Sequence, residues 1–193
     1  MDLNSKINNT FIEISSLVSE STKLTNSISD AAEIIINCFK NNYKVIVFGN
    51  GGSAADAQHL VAEFVGRYKR ERNSLPAISL TANTSIITAV GNDYGFKHVF
   101  ERQCQALTNK NDVVIAISTS GTSENVIEGI KISKKIGAQI IALTGKKEGL
   151  MTNLADIVLS VPSSDTPRIQ EIHRIIMHII CDIVDEYFSD KEN

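Results

Sequence analysis

GNGGSAADAQHLVAEFVGR, residues 49–67, is the stretch on which the reading of this chain turns. It follows KVIVFG (44–49), a short β-branched, apolar run of the kind that forms a strand buried on both faces. A glycine-rich turn then leads into a helical pattern over about 53–68, so backbone N–H groups and a positive helix end meet at the strand's carboxyl end, an arrangement suited to an anion. Within the same helix His59 and Glu63 stand four residues apart, on one face.

Outward from this stretch, strand-like runs recur at 75–80, 112–118, 138–145 and 156–162, separated by helical patterns at 84–108, with a break near 91–95, and 123–136. Such alternation predicts an α/β fold, a three-layer sandwich with a five-stranded parallel sheet, whose ligands bind beyond the carboxyl ends of the strands. Two further helices fill residues 1–42, with apolar Phe11, Ile12, Ile14, Leu17 and Val18, then Ile28, Ala31, Ile34, Ile35, Ile36 and Phe39; they are expected to pack outside the sheet or on a partner subunit. A last helix is expected from Thr166, as N-cap, with Pro167 at its first position, to about Phe188, leaving SDKEN frayed. The 193 residues therefore read as one domain, 1–193, with N-terminal helices over 1–42 and a ligand-binding core over 43–188.

Composition narrows the function classes. A formal net charge of −3, with no basic cluster denser than residues 67–72, leaves no footprint for nucleic acid. No apolar run approaches the roughly 18 residues of a membrane span, and the N-terminal segment lacks a secretory h-region, so neither membrane insertion nor export is expected. Cys38, Cys104 and Cys181 are isolated and odd in number, which fits a soluble protein of the reducing cytoplasm.

A second loop carries chemistry. STSGTSEN (118–125) places five hydroxyl residues and a glycine between a strand and a helix, a hydroxyl-rich cradle for a phosphomonoester that holds it by dipoles, since no Lys or Arg is present. Helix capping by Thr122 or Ser123 is the plain alternative for either residue alone. The turn at 49–54 also fits the pattern G-x-G-x-x-A, but Leu80, Thr81, Ala82 and Asn83 supply no acidic residue for a dinucleotide ribose, which disfavours nicotinamide binding. A capping-box-like start from Ser53 and Asp56 remains as the structural explanation of that turn.

On the final helix, IQEIHRIIMHII (169–180) adds Gln170, His173 and His178. His173 falls on another face and reads as structural. Gln170 and His178 are eight residues apart, about 12 Å along a helix, so either their side chains lean together or the ligands come from different subunits. The second arrangement, an interfacial site, is favoured because it also accounts for apolar surface on the terminal helices.

GNGGSAADAQH, Glu63, GNDYGF (91–96), STSGTSENV, ALTG and PRIQEIH, in this order over almost the whole chain, resemble the phosphoheptose isomerase family of the sugar isomerase (SIS) superfamily. The resemblance implies a flavodoxin-like SIS fold and a homotetramer with interfacial active sites. It implies one Zn²⁺ per subunit, held by His59, Glu63, Gln170 and His178. Substrate contacts are implied for Asn50, Gly51, Gly52, Ser53, Asn92, Asp93, Ser118, Thr119, Ser120, Ser123, Glu63 and Gln170, and Glu63 and His178 are expected to be catalytic. Thr122 stands where the family often has Asn. The implied activity is aldose–ketose isomerisation of sedoheptulose 7-phosphate to D-glycero-D-manno-heptose 7-phosphate, the first step towards nucleotide-activated heptose for lipopolysaccharide or other surface glycans. Two other readings compete: a non-catalytic SIS protein that binds the replication initiator, and a sugar-phosphate-sensing module. The presence of both Glu63 and His178 favours the enzyme.

Overall fold

A computed structural model describes residues 2–146 and 149–189. Helices α1 (Leu3–Ser21) and α2 (Thr25–Lys40) precede β1 (Val45–Gly49), α3 (Gly52–Val65), β2 (Ala77–Ser79), α4 (Thr84–Tyr94) and α5 (Val99–Leu107). There follow β3 (Val113–Ser118), α6 (Glu124–Ile136), β4 (Gln139–Thr144), α7 (Leu150–Leu154), β5 (Ile157–Ser160) and α8 (Thr166–Ser189). The strands form one sheet in the order β2-β1-β3-β4-β5, every neighbouring pair parallel, as the alternating pattern predicts.

The two-residue period of a strand sorts the core into two layers. Val45, Val47, Val113, Ile115, Ile117, Ile141 and Leu143 face α2, α3 and α8, while Ile46, Phe48, Val114, Ala116, Ile140 and Ala142 face α5, α6 and α7. Each large aliphatic group so buried contributes roughly 1.5–3 kcal/mol relative to exposure, which is why the three central strands, buried except for Gln139 at the start of β4, anchor the sheet.

Helix α2 departs from expectation. Ile28, Ala31, Ile35 and Phe39 lie in the core layer shared with α8, so α2 covers the sheet directly instead of lying outside it. In α1 only Leu17 is buried, and Leu3, Ile7, Phe11 and Ile12 are exposed. The expected helix over 84–108 divides into α4 and α5 at Gly95 and a short 3-10 turn (Phe96–His98). No pattern announced α7, whose five residues are too few to show a period. At α8 the Asp165 carbonyl accepts the first i→i+4 bond from the Ile169 N–H, so Asp165 takes the N-cap place expected of Thr166, and Pro167 moves one position into the first turn. Of the tail SDKEN (189–193) expected to fray, Ser189 is the last residue of α8 and residues 190–193 lie outside the described residues.

The three cysteines are free and buried. Burial pushes the Cys38 and Cys181 thiols up to about 12 and the Cys104 thiol to about 11, so all three stay protonated and serve as small apolar groups. His173 is fully buried and its Nε2–H donates to the Thr144 carbonyl at 3.2 Å, tying α8 to β4, in agreement with the structural part expected of it.

Burial lowers the His173 pKa from 6.5 to about 4. As pH falls below 6.5 the unfolded chain takes up a proton that the folded chain refuses until about pH 4, so stability declines through that window by on the order of 3 kcal/mol. His173→Gln should therefore lose about 2 kcal/mol less than the parent chain between pH 7 and pH 4.5, in urea unfolding at each pH. Equal losses would show that His173 does not resist protonation.

Candidate active site

In the order β2-β1-β3-β4-β5 the chain leaves β1 in one direction and β3 in the other, and a crevice opens between their carboxyl ends. Gly49 pairs with Ile117 across that boundary, so the glycine-rich turn and the hydroxyl-rich loop face each other. Gly51 sits at φ +55°, a conformation side chains rarely adopt, and turns the chain sharply into α3. Asn50 and Asn125 exchange amide hydrogen bonds of 2.8 and 2.9 Å and lock the two loops together.

These loops enclose a cavity of about 230 Å³ lined by Asn50, Gly51, Gly52, Ser53, Ser118, Thr119, Ser123 and Gln170, with Ile117 and Thr166. Ser123 occupies the N-cap position of α6 but makes no side-chain cap; its hydroxyl lies 3.0 Å from that of Ser118. Gly51, at the N-cap of α3, has no side chain to cap with. Neither the capping explanation for Ser123 nor the capping-box explanation for Ser53 and Asp56 describes this arrangement, and both helix ends are left free to meet an anion. Ser120 does not line this cavity; its hydroxyl lies 3.4 Å from that of Ser118 and accepts from the Thr122 N–H at 3.3 Å.

A second cavity, about 530 Å³, adjoins the first through their shared residues Gly52 and Gln170. It runs along α3 and α8 past Asp56 and Arg174 to His178. The two helices lie side by side in the same direction, meeting about once per turn. A Cβ on Gly52 would come within 2.5 Å of Gln170 Nε2, so glycine there permits the first contact. Asp56 accepts from Arg174 Nη2 at 2.5 Å and Nε at 3.2 Å, and His59 Nε2 lies 3.4 Å from His178 Nε2.

His59 Nε2 also lies 2.9 Å from Glu63 Oε1. Ligand atoms of His59, Glu63 and His178 all fall within 4.8 Å of one another, and among the described residues these three are placed to share one metal ion. Two imidazoles and a carboxylate form a donor set of the zinc-binding kind. Partial burial, and then the neighbouring His59, lower the His178 pKa and favour the neutral, ligating imidazole. The three converge within a single chain, so the expectation that subunit packing brings carboxylate and imidazole together is corrected: α3 supplies two of the groups and the adjacent α8 the third. Gln170 stands two turns from His178, against Gly52 at the junction of the cavities. Asn92 and Asp93 are exposed near the end of α4, bonded to each other at 2.8 Å, and line neither cavity.

Several groups that shape the site gave no sequence signal. The Arg72–Asp185 pair is fully buried, with Nε to Oδ1 at 3.0 Å. Arg72 Nη2 donates to the Glu63 carbonyl at 2.8 Å and Nη1 to the Phe64 carbonyl at 3.0 Å, while Asp185 Oδ2 accepts from the backbone N–H groups of Lys69 and Arg70. Burial works to raise the Asp185 pKa, but those N–H groups and the Arg72 charge outweigh it and hold the carboxyl below its usual range. The segment following α3 is thereby strapped to α8, and Tyr68 lies 5.6 Å from the His178 ring.

Against known proteins, residues 11–145 match the family model described as SIS domain. The phosphoheptose isomerase of Aliarcobacter butzleri is 52% identical over 162 residues, 84% of this chain and 86% of that protein. The chain belongs to the phosphoheptose isomerase family. Solved structures of phosphoheptose isomerases from Neisseria gonorrhoeae and Francisella tularensis superpose with TM-scores of 0.90 and 0.93, at 42% and 39% identity. The alignments cover 95% and 96% of this chain and 99% and 100% of theirs, so the SIS fold is shared along its whole length.

For this family member the cluster makes a direct prediction. Chelator-stripped protein dialysed against zinc should take up about one equivalent and melt at higher temperature, because an ion held by the folded chain alone stabilises it. His178→Ala should abolish both effects; zinc uptake unchanged in that variant would show that the three ligands do not act together.

Proposed function

We propose that this protein interconverts sedoheptulose 7-phosphate and D-glycero-D-manno-heptose 7-phosphate in the cytoplasm, feeding the synthesis of activated heptose for surface glycans. The observation that carries this reading is that two adjoining cavities, which share Gly52 and Gln170 in their walls, differ in chemistry at their far ends. The hydroxyl-lined crevice takes the phosphate, and Glu63 and His178 meet the carbonyl end. Moving a carbonyl between adjacent carbons requires a base at carbon and an acid–base partner at oxygen, the two groups found together here.

Glu63 removes a proton from C1 of the ketose as His178 delivers one to the C2 oxygen, giving an enediol. His178 then withdraws the proton of the C1 hydroxyl, and Glu63 returns its proton to C2. The sum is a shift of hydrogen with no external oxidant. Neutral His178, favoured by its surroundings, suits both halves of that exchange. His59, Glu63, Gln170 and His178 would hold one zinc per subunit, which when bound polarises the substrate oxygens as a Lewis acid. The phosphate is held by Ser53, Ser118, Thr119 and Ser123 with the N-termini of α3 and α6; Asn50, Gly51, Gly52 and Gln170 complete the crevice, with Ser120, Asn92 and Asp93 as further contacts once substrate and partner subunits are in place.

Assembly as a homotetramer is part of the same reading. Leu3, Ile7 and Phe11 on α1, and Ile175, Ile179 and Ile183 on α8, repeat every four residues and are more than a third exposed, forming apolar stripes that a partner would cover. Light scattering after gel filtration should give about four times the 21.1 kDa chain mass; a monomer would remove this part.

Glu63→Gln keeps the size of the side chain but not its basicity. It should slow turnover of sedoheptulose 7-phosphate by about 10²–10⁴-fold, followed by NMR of the aldose product, while inhibition by inorganic phosphate persists. Turnover near that of the parent protein would take the base role from Glu63.

A further inference from the structure

Arg174 lies where a bound sugar must pass. On α8 it stands one turn from Gln170, at the mouth of the phosphate crevice, and one turn from His178, in the catalytic cluster, about 6 Å from each along the axis. It lines the 530 Å³ cavity together with Gly52, Asp56, Gln170 and His178. Of the residues facing the cavity between its two ends, it alone brings a set of uncommitted charged donors. Nε and Nη2 converge on a single oxygen of Asp56. Of the five N–H donors of a guanidinium, the remainder are left for the cavity.

The ion pair is unequal. The Asp56 side chain is 2% exposed and that of Arg174 is 53% exposed, so the carboxylate acts as a fixed post from which the guanidinium projects. An ordinary surface pair would leave both partners mobile in water. Here the fork is oriented before any ligand arrives, and its planar, directional donors match hydroxyl oxygens spaced along a sugar.

We propose that Arg174 is a substrate-binding residue that reads the hydroxyl-bearing middle of the sugar chain and so helps set which sugar phosphates the site accepts. The inference rests on the isomerase reading, which fixes the phosphate at one end of the cavity and the carbonyl at the other. Asp56 is then a positioning residue, acting only through Arg174.

The test uses the full chain loaded with zinc, with sedoheptulose 7-phosphate and a six-carbon ketose 6-phosphate as substrates. Two variants separate contact from folding: Arg174→Lys keeps a cation for Asp56 but loses the fork, and Arg174→Met combined with Asp56→Asn removes the pair without stranding a buried charge. Each should lower kcat/KM for the seven-carbon substrate by about 10- to 100-fold, as loss of a hydrogen bond to a charged group implies, chiefly through KM. The preference for seven carbons over six should narrow, while the inhibition constant of inorganic phosphate, which needs only the crevice, stays unchanged. Wild-type KM and preference in both variants would overturn the inference. So would an equal weakening of phosphate inhibition, which would mean that Arg174 only braces α3 against α8. A wild-type protein that leaves sedoheptulose 7-phosphate untouched would instead remove the isomerase reading, and this inference with it.

Discussion

The parallel alignment of α3 with α8 is the constraint on which this molecule depends, and the buried Arg72–Asp185 pair holds it. Arg72 is spent entirely inside the protein: Nε on Asp185, Nη2 on the Glu63 carbonyl, Nη1 on the carbonyls of Phe64, Gly66 and Asn73. The Glu63 and Phe64 carbonyls, in the last turn of α3, have no partner within the helix, so one side chain both caps α3 and ties it to α8. A buried charge with every donor satisfied is tolerable, whereas removing either partner strands the other at a cost of about 3–5 kcal/mol. The pair therefore specifies a single alignment of the helices more than it adds net stability.

That alignment has a chemical consequence. Glu63 is the residue whose carbonyl Arg72 grips, and His178 lies two turns before Asp185 on α8. Fixing α3 to α8 at this end, and through Asp56 and Arg174 further up, leaves His59, Glu63 and His178 little freedom to separate. Proton transfer needs donor and acceptor held within hydrogen-bond reach of the substrate, and ties between the two helices on both sides of the cluster achieve this better than contacts among the three side chains alone.

How much of this was legible in the chain depended on range. The central strands are β-branched, apolar and bounded by turn residues, and the glycine turn and the hydroxyl loop each directly follow such a strand, so the fold class and both loops could be read locally, whereas the strand order that sets the loops side by side could not. The strap could not. Residues 67–72 read as a modest basic cluster because their partners, Asp182 and Asp185, lie more than a hundred positions later. The same blindness misassigned the meeting of Glu63 and His178. Counting along one helix separates Gln170 from His178 by about 12 Å and suggests that a second subunit is needed. In the structure α3, from the same chain, brings His59 and Glu63 to His178 while Gln170 stays two turns away against Gly52, a pairing that no periodicity encodes. Arg174 gave no signal for a related reason: its partner Asp56 lies 118 positions earlier.

The distribution of charge along the cavity also bears on how binding energy is used. The phosphate is a spectator, present unchanged in substrate, enediol and product, so a grip on it stabilises all three alike and does not itself lower the barrier. In the proposed site, holding it with hydroxyls and helix ends instead of lysines would keep that uniform term modest while still fixing one end of the sugar. On the proposed reading full charges act elsewhere: Arg174, which lines the larger cavity, on the middle of the sugar, and Glu63, grouped with His59 and His178, at the reacting carbons. There an interaction distinguishes one sugar from another or one stage of the reaction from the next, and there a strong interaction alters rate or selectivity.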